Sequence, residues 1–515
     1  MFDRKRISCA VLSGVLLTLS FPTPSWFFLA WLAMVPLMFS IESCSYRQSF
    51  LLGWFAGFVH FTSLLYWIYY VVNHYGKVPM PLGVITLLLL TSYVALFPGF
   101  SCVIYKLLNT RWFFPSSLAL SVAWVAGEYA RGHLLTGFPW DLVGYSQIPF
   151  HPVVQSMDLF GVLGISFLIA FCNGALYSLL KQKRSRMAVV EVLVFVVLFT
   201  LNYAYGIHRI SEIDEVISRS RPVKVAVIQG NIPQDVKWDK EFQEGTVKRY
   251  NVLTEQALEE GHAKLVVWPE TAVPFYFGID IPMSLKVLNI AKNNGIYLIF
   301  GAPGLEYHDS KPFYYNWALL ASPRGRITGV YAKEHLVPFG EYVPLKKLLF
   351  FVHKLAEGVG DFVAGDENQP LFEVDGKKIG ALICYEVIFP ELALNKCRRG
   401  ANLLVNISND AWFGDTSAPY QHLEMAQARA IETRLPLIRC TNTGISAFIN
   451  VKGEIDGIIP LNRTGYMVKE MRIPHLQSTY VEARDAIAWI CVIFPVLVIL
   501  NALYDKIKKS SNKDV

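Results

Sequence analysis

The apolar positions fall into two regimes. From Ile7 to about residue 205 they form nearly continuous runs. From Pro222 to about 484 they shorten to β-branched bursts alternating with polar, helix-patterned stretches. Several long runs approach the ~20 residues needed to cross a bilayer. They predict eight spans, at about 7–21, 25–41, 50–72, 82–106, 114–131, 158–180, 187–205 and 485–503. The first follows Arg4-Lys5-Arg6 and looks like the core of a signal peptide. A Pro-Thr-Pro break and another apolar run follow it in place of a small-residue cleavage site, so it reads as a retained helix. In the second regime, strands are predicted at 223–229, 265–268, 297–301, 316–321, 379–384, 403–407 and 436–439. Helices are predicted at 240–260, 282–294, 389–399 and 418–434. Such alternation argues an α/β domain with a largely buried sheet.

Charge gives the spans a direction. Arg4 to Arg6, Arg47, Lys106 with Arg111, the Lys181–Arg186 cluster and the tail lysines 506, 508, 509 and 513 all fall on one side of eight spans. By the positive-inside rule that side is cytoplasmic. The chain therefore divides into a membrane domain at 1–206, an exported domain at 207–484, and a last span with a basic tail at 485–515. Within the exported loop after span five, Glu128 and Arg131 sit three apart and predict a pair on one helix face. Phe138-Pro139-Trp140 suits an interfacial anchor, with a substrate contact as the alternative. Gly53 and Gly57 have the spacing of close helix packing.

Composition agrees with a membrane protein. Of 515 residues 53% are hydrophobic and 17% charged, which is too apolar for an ordinary soluble enzyme. The net charge of +6 is spread over short loop clusters, which speaks for membrane topology rather than nucleic-acid binding. Eight cysteines without a CxxC pair argue against a disulfide framework. Nucleotide-binding glycine motifs and metal-ligand spacings are missing from the sequence as well.

The candidate chemistry sits where apolar strands end in polar residues. Lys378-Ile-Gly-Ala-Leu-Ile-Cys384-Tyr-Glu386 delivers a thiol to a strand end before a helical stretch, where a helix N-terminus would favour the thiolate. Leu265-Val-Val-Trp-Pro-Glu270 ends a buried strand in a carboxylate, an expensive placement unless the group is paired or used. Lys333 and Glu341 lie among apolar and turn residues, and Asn409-Asp410 follow another strand. Taken singly, each has an ordinary role: Cys384 as core, Glu270 as a cap, Lys333 as a solvated lysine, Asn409 and Asp410 as turn residues. Taken together they supply the nucleophile, base and cation that acyl transfer needs.

In this arrangement Trp-Pro-Glu270, Lys333 and Ile-Cys384-Tyr-Glu resemble the Glu-Lys-Cys triad of the nitrilase (carbon–nitrogen hydrolase) superfamily. The strings Gln229-Gly-Asn-Ile-Pro-Gln234 with Lys237-Trp238, Trp268-Pro-Glu-Thr271, Lys333 through Leu336-Val-Pro-Phe-Gly-Glu341, Cys384-Tyr-Glu386, Ser408-Asn-Asp-Ala-Trp-Phe-Gly414 and Thr136-Gly-Phe-Pro-Trp140 narrow it. Over essentially the whole chain they are similar to the apolipoprotein N-acyltransferase family. One departure is visible: where that family has Gly-Asp before the last span, this chain has Arg484-Asp485.

The resemblance implies a nitrilase-like αββα sandwich on an eight-helix base in a bacterial inner membrane, with the sandwich on the periplasmic side. It implies ping-pong transfer of a fatty acyl chain from a phospholipid donor to the α-amine of a diacylglyceryl apolipoprotein, without cofactor or metal. Glu270 would be the proton acceptor, Lys333 the oxyanion stabiliser and Cys384 the nucleophile. Glu341, Tyr385 and Glu386 would support them, with Trp238, Asn316 and Trp412 as candidates for substrate contact. Two other readings compete. A membrane-tethered amidase would use the same triad but gains little from eight spans. A transporter would need ionisable residues in mid-membrane, and the spans hold few. The Gly/aromatic stretch at 350–366 reads as a mobile loop.

Overall fold

The computed structural model describes residues 3–111, 114–181, 185–234, 237, 239–342 and 361–511. The chain forms two compact units: 1–66, 84–209 and 483–515 in one, 67–83 and 210–482 in the other. The second unit thus takes in a short piece of the N-terminal half.

Twelve strands build the second unit: β1 (Pro222–Gln229), β2 (Leu265–Val267), β3 (Tyr297–His308), β4 (Lys311–Ala321), β5 (Ile327–Ala332), β6 (Phe372–Val374), β7 (Lys377–Ile383), β8 (Leu403–Ser408), β9 (Leu437–Thr441), β10 (Ser446–Ile449), β11 (Ile455–Ile459) and β12 (Gly465–Arg472). They form two six-stranded sheets, ordered β12-β1-β2-β3-β4-β5 and β11-β10-β9-β8-β7-β6. Strand alternation divides the core into layers. Val225 and Val227 of β1 face Ile383, Val405 and Ile438 of the other sheet. Ala226 and Ile228 point the opposite way, toward Val247, Tyr250 and Ala257 of helix Lys240–Gly261 and Val287 of helix Ile281–Asn294. Helices Pro390–Arg398 and Ala418–Thr433 pack beside β7 and β9. The architecture is an αββα sandwich.

Pairs β1–β2, β2–β3, β7–β8 and β8–β9 are parallel. Strand β5 lies antiparallel to β4, itself antiparallel to β3, so it runs with β3. The carboxyl ends of β2, β5, β7 and β8 carry Glu270, Lys333, Cys384 and the 408–410 segment. Open α/β sheets place ligand sites at such ends.

The predicted helices are present with ends within a residue or two, whereas the strands differ more. β3 and β4 extend into a long hairpin beyond their apolar parts, and β5, β6 and β10 to β12 lie outside the predicted set. β5, β6, β11 and β12 lie at sheet edges, where exposed positions interrupt any apolar run, whereas β10 is buried and interior but only four residues long.

Three helices, Met80–Thr110, Met157–Lys181 and Arg186–Arg219, are long and apolar enough to cross a membrane. A run over Tyr46–Leu64 and Trp67–Tyr75, bent by 53°, is a fourth among the described residues. The Gly53/Gly57 stripe packs closely: a Cβ on Gly53 would lie 2.8 Å from the Pro98 carbonyl, and one on Gly57 2.9 Å from the Pro98 ring.

Three expectations for this half change. The helix predicted to end near 205 runs to Arg219, because nothing between the last apolar turn and Pro222 breaks it, and Glu215 and Arg219 pair across its final turn. Glu128 and Arg131 direct their hydrogen bonds away from each other. The carboxylate accepts from Trp124 Nε1 (3.1 Å) and the Val143 amide (2.7 Å), and the guanidinium donates to the Trp140 carbonyl (2.7 Å). The following loop folds back to supply these partners, so Trp140 is buried rather than an interfacial anchor. At the Arg484-Asp485 departure, Arg484 itself takes the left-handed conformation (φ 51°) that a glycine adopts without strain.

Gly301 of β3 ties the sheet to the chemistry. A Cβ there would lie 2.6 Å from the Glu270 Cα and from the Thr271 amide nitrogen, both backbone. Gly301→Ala is expected to destabilise the protein by about 2 kcal/mol through overpacking, read as a lower thermal unfolding midpoint. An unchanged midpoint would mean that the Glu270 turn yields freely.

Candidate active site

Cys384 directly follows β7, whose last five residues are all buried. Its own φ is +53°, a left-handed conformation that is uncommon for a side-chain-bearing residue and typical of strained functional positions. Two donations from Asn406 Nδ2 hold this turn, to the Leu382 carbonyl (3.2 Å) and the Cys384 carbonyl (3.3 Å). Cys384 opens a 3₁₀ turn ending at Ile388, and the α-helix starts only at Pro390. The sulfur therefore lacks the helix N-terminus foreseen from the sequence. Burial and then the Glu270 carboxylate push its thiol above the usual range, against the pull of Lys333. Its surroundings thus favour the protonated thiol.

Glu270 and Lys333 form one cluster with Asn316 and Glu341. Glu270 Oε1 accepts from Asn316 Nδ2 (2.8 Å), and its Oε2 accepts from the Asn409 amide (2.8 Å). Lys333 Nζ stands 3.9 Å from Glu270 Oε1 and 2.9 Å from Glu341 Oε2. Glu341 also accepts from Asn316 Nδ2 (2.9 Å) and the Val337 amide (2.8 Å). Asn316, a candidate for substrate contact, spends both amide hydrogens on these carboxylates. Lys333 is 1% exposed. Burial lowers its affinity for the proton, but Glu341 and Glu270 outweigh that effect and hold the ammonium above its ordinary range.

Glu386 joins the nucleophile strand to the lysine loop. Its carboxylate accepts from the amides of Ile383 (2.6 Å), Glu334 (2.6 Å) and His335 (3.1 Å), and from the Tyr331 hydroxyl (3.0 Å). Burial pushes the carboxyl up to about 7, against the pull of the Ile383 and His335 amides. Tyr385 lies edge-on to Phe389, with ring centres 5.2 Å apart. Trp412 meets Tyr75 edge-on at 4.9 Å, and Trp67 meets Phe413 at 5.0 Å. The Tyr75 hydroxyl donates to the Ala411 carbonyl (2.7 Å) and Trp67 Nε1 to Gln421 (3.1 Å). The 67–83 segment is thus stapled to the loop that carries Asn409. Trp238 and residues 350–360 of the predicted mobile loop lie outside the described residues.

Sequence reasoning missed two features. Lys237 is buried, with Nζ 3.4 Å from the Glu270 carbonyl, and burial lowers its ammonium to about 8 against the pull of Glu270 and Cys384. Its place in the Lys237-Trp238 string was the available signal. Behind Cys384, Asp410 is buried with Arg439 (Nη2 to Oδ2, 2.6 Å), His422 (Nδ1 to Oδ1, 3.2 Å) and Ser408 (Oγ to Oδ1, 2.7 Å). Arg439 interrupts the apolar strand Leu437-Ile-Arg-Cys-Thr441, which could have flagged it. A thiol, a carboxylate and a permanent ammonium in one water-poor site can form and cleave an acyl thioester.

Comparison with known proteins places this geometry. Residues 13–175 match the family described as the apolipoprotein N-acyltransferase N-terminal domain, and 224–480 match carbon-nitrogen hydrolase. An apolipoprotein N-acyltransferase of Geobacter metallireducens is 42% identical over 95% of this chain and 94% of its own length. One from Brucella suis is 33% identical over 90% and 88%, and one from Shewanella oneidensis 32% identical over 90% and 89%.

The raised thiol has a measurable consequence. At pH 7 the rate of Cys384 alkylation by iodoacetamide should fall below that of a free cysteine, whose pKa is about 8.5. The rate should still be climbing as the pH passes that value, because a raised pKa delays the thiolate. A rate already at plateau below pH 6 would indicate a preformed thiolate instead.

Proposed function

The chain belongs to the apolipoprotein N-acyltransferase family, and from that premise we propose that it N-acylates lipoproteins through a thioester on Cys384. The observation that carries the residue roles is the meeting of Glu270, Lys333 and Glu341 in one hydrogen-bonded cluster, electrostatically coupled to a buried thiol. Cys384 gives its proton to Glu270 as it attacks an ester carbonyl of a phospholipid. The negative charge developing on the carbonyl oxygen is met by Lys333. As the C–O bond breaks, the leaving alkoxide takes the proton from Glu270, and lysophospholipid departs. The α-amine of a diacylglyceryl-cysteine then attacks the thioester, Glu270 accepts the amine proton, and the Cys384 sulfur leaves and regains it.

Each group has a job of definite size. A positioned base contributes on the order of 10²–10⁴-fold, and loss of an oxyanion donor costs about 3–4 kcal/mol. Glu341 keeps Lys333 charged through both half-reactions. Without it, a lysine this deeply buried would tend to lose its proton.

We read the membrane half as eight spans with the 207–484 domain in the periplasm and both termini in the cytoplasm of a bacterial inner membrane. The parity of the basic loops supports this orientation. Lipid substrates give the spans a purpose, which favours acyl transfer over hydrolysis of a small soluble amide.

Two experiments test the reading. Incubation of the purified protein with labelled phospholipid should give a hydroxylamine-sensitive adduct. That adduct is absent from Cys384→Ala, forms at least about a hundredfold more slowly in Glu270→Gln, and is lost in Lys333→Ala with its circular dichroism retained. Turnover of soluble amides with no adduct would sink acyl transfer. For topology, a phosphatase fusion after Val515 should be inactive and one within the 207–484 domain active; the reverse pattern would invert the orientation.

A further inference from the structure

Asp410 is a fully buried carboxylate near the sulfur, held by Ser408, Arg439 and His422, and the triad chemistry leaves it unused. It follows Ser408, the last residue of β8, in the segment Ser408-Asn409-Asp410. Parallel pairing sets Ile383 against Ile407, so the next residues on each strand, Cys384 and Ser408, lie side by side at the carboxyl edge. That register places the Ser408 hydroxyl beside Cys384, where it favours the thiolate. Yet its one proton is given to Asp410 Oδ1 at 2.7 Å. Asn409 between them orients Glu270 through its amide. One short segment therefore touches both the base and the nucleophile.

A hydroxyl has one proton and can rotate it between two acceptors. Whether it can leave Asp410 depends on what else holds that carboxylate. Arg439 Nη2 donates to Oδ2 at 2.6 Å and His422 stands 3.2 Å from Oδ1, all of them buried. Arg439 is fixed in turn by donation to Asn406, the residue that holds the Cys384 carbonyl. Gly444 lies so close that a Cβ there would sit 2.3 Å from Asp410 Oδ2. With the arginine and the histidine in place, Asp410 loses little when the hydroxyl turns away.

We propose that Ser408 is a positioning residue that switches its hydroxyl proton from Asp410 to the Cys384 sulfur as the thiol ionises, with Arg439 and His422 holding Asp410 while it does so. In the resting enzyme the Ser408 oxygen offers the thiol a lone pair. When Glu270 removes the thiol proton, the hydroxyl turns and donates to the thiolate. When the acyl group is bonded to sulfur, the hydroxyl returns to Asp410. No covalent bond to Ser408 forms or breaks. Titratable and charged groups facing Cys384 from the packed elements are Glu270 after β2, Lys333 after β5, Lys237 after β1, Asp410 after β8 and His422 of helix Ala418–Thr433, whose ring meets the Cys384 backbone.

The proposal rests on Cys384 as the nucleophile, and its test is read on the sulfur itself. The full-length enzyme is alkylated with iodoacetamide across a pH series and modification of Cys384 is followed by mass spectrometry. Ser408→Ala should move the alkylation midpoint up by about one pH unit and slow modification at pH 7 about tenfold. Asp410→Asn should move it the other way, because it removes a negative charge beside the sulfur and frees the hydroxyl. A wild-type midpoint in folded Ser408→Ala overturns the switch, even if the variant melts lower or works more slowly. If Ser408→Ala does not fold, Asp410→Asn decides: a midpoint that stays or rises overturns it. Failure of the nucleophile reading would look different, as wild-type enzyme keeping full acyl transfer after Cys384 is alkylated.

Discussion

Two carboxylates and one ammonium share a space almost without water, and the site depends on their balance. Glu270 and Glu341 are tied together by the two hydrogens of Asn316, and Lys333 supplies the only full positive charge described against both. Moving a carboxylate out of water is expensive unless it is paired and hydrogen-bonded. Here every described carboxylate oxygen of Glu270 and Glu341 accepts at least one N–H, two of them from backbone amides. The backbone donors matter because they do not rotate. They fix the directions of the Glu270 and Glu341 carboxylates.

That balance separates this thiol from one activated in advance. A cysteine beside a helix N-terminus or a free cation is ionised before substrate arrives. Burial and then the Glu270 carboxylate push the Cys384 thiol toward the protonated form, against the pull of Lys333. In the proposed mechanism, nucleophile and conjugate acid are then made together, at the moment of attack. A thiol that ionises only on demand is also a poor target for adventitious oxidants, since susceptibility follows thiolate character.

The legible parts of this protein were those where burial is two-sided. β1, β2, β7 and β8 read as strands because layers on both faces exclude polar residues, and Glu270 and Cys384 stood out because they end such runs. β12, with Lys469 and Glu470 exposed, owes its place to eight residue pairs with β1 rather than to apolar content, and nothing local announces it. The same holds in the site. Lys333 could be suspected because it sat alone between turns, whereas the Asp410–Arg439–His422 cluster joins a turn, a helix and a strand that only the fold brings together. Its meaning depends on strand pairing. Helix ends failed where hydropathy was used as a proxy for helicity: past residue 205 the apolar face stops, but no residue breaks the helix before Pro222.

The strap at 67–83 has a consequence for how the chain can be taken apart. Its flanks, up to Tyr66 and from Val84, belong to the helical unit, while Trp67 and Tyr75 are built into the sandwich. The catalytic unit is consequently discontinuous in sequence, and no single cut releases it whole. A fragment beginning at 210 would leave Trp412, Phe413 and Gln421 without Tyr75 and Trp67, baring aromatic surface beside the segment that aims the base. Any fragment meant to carry the sandwich alone must therefore bring residues 67–83 with it.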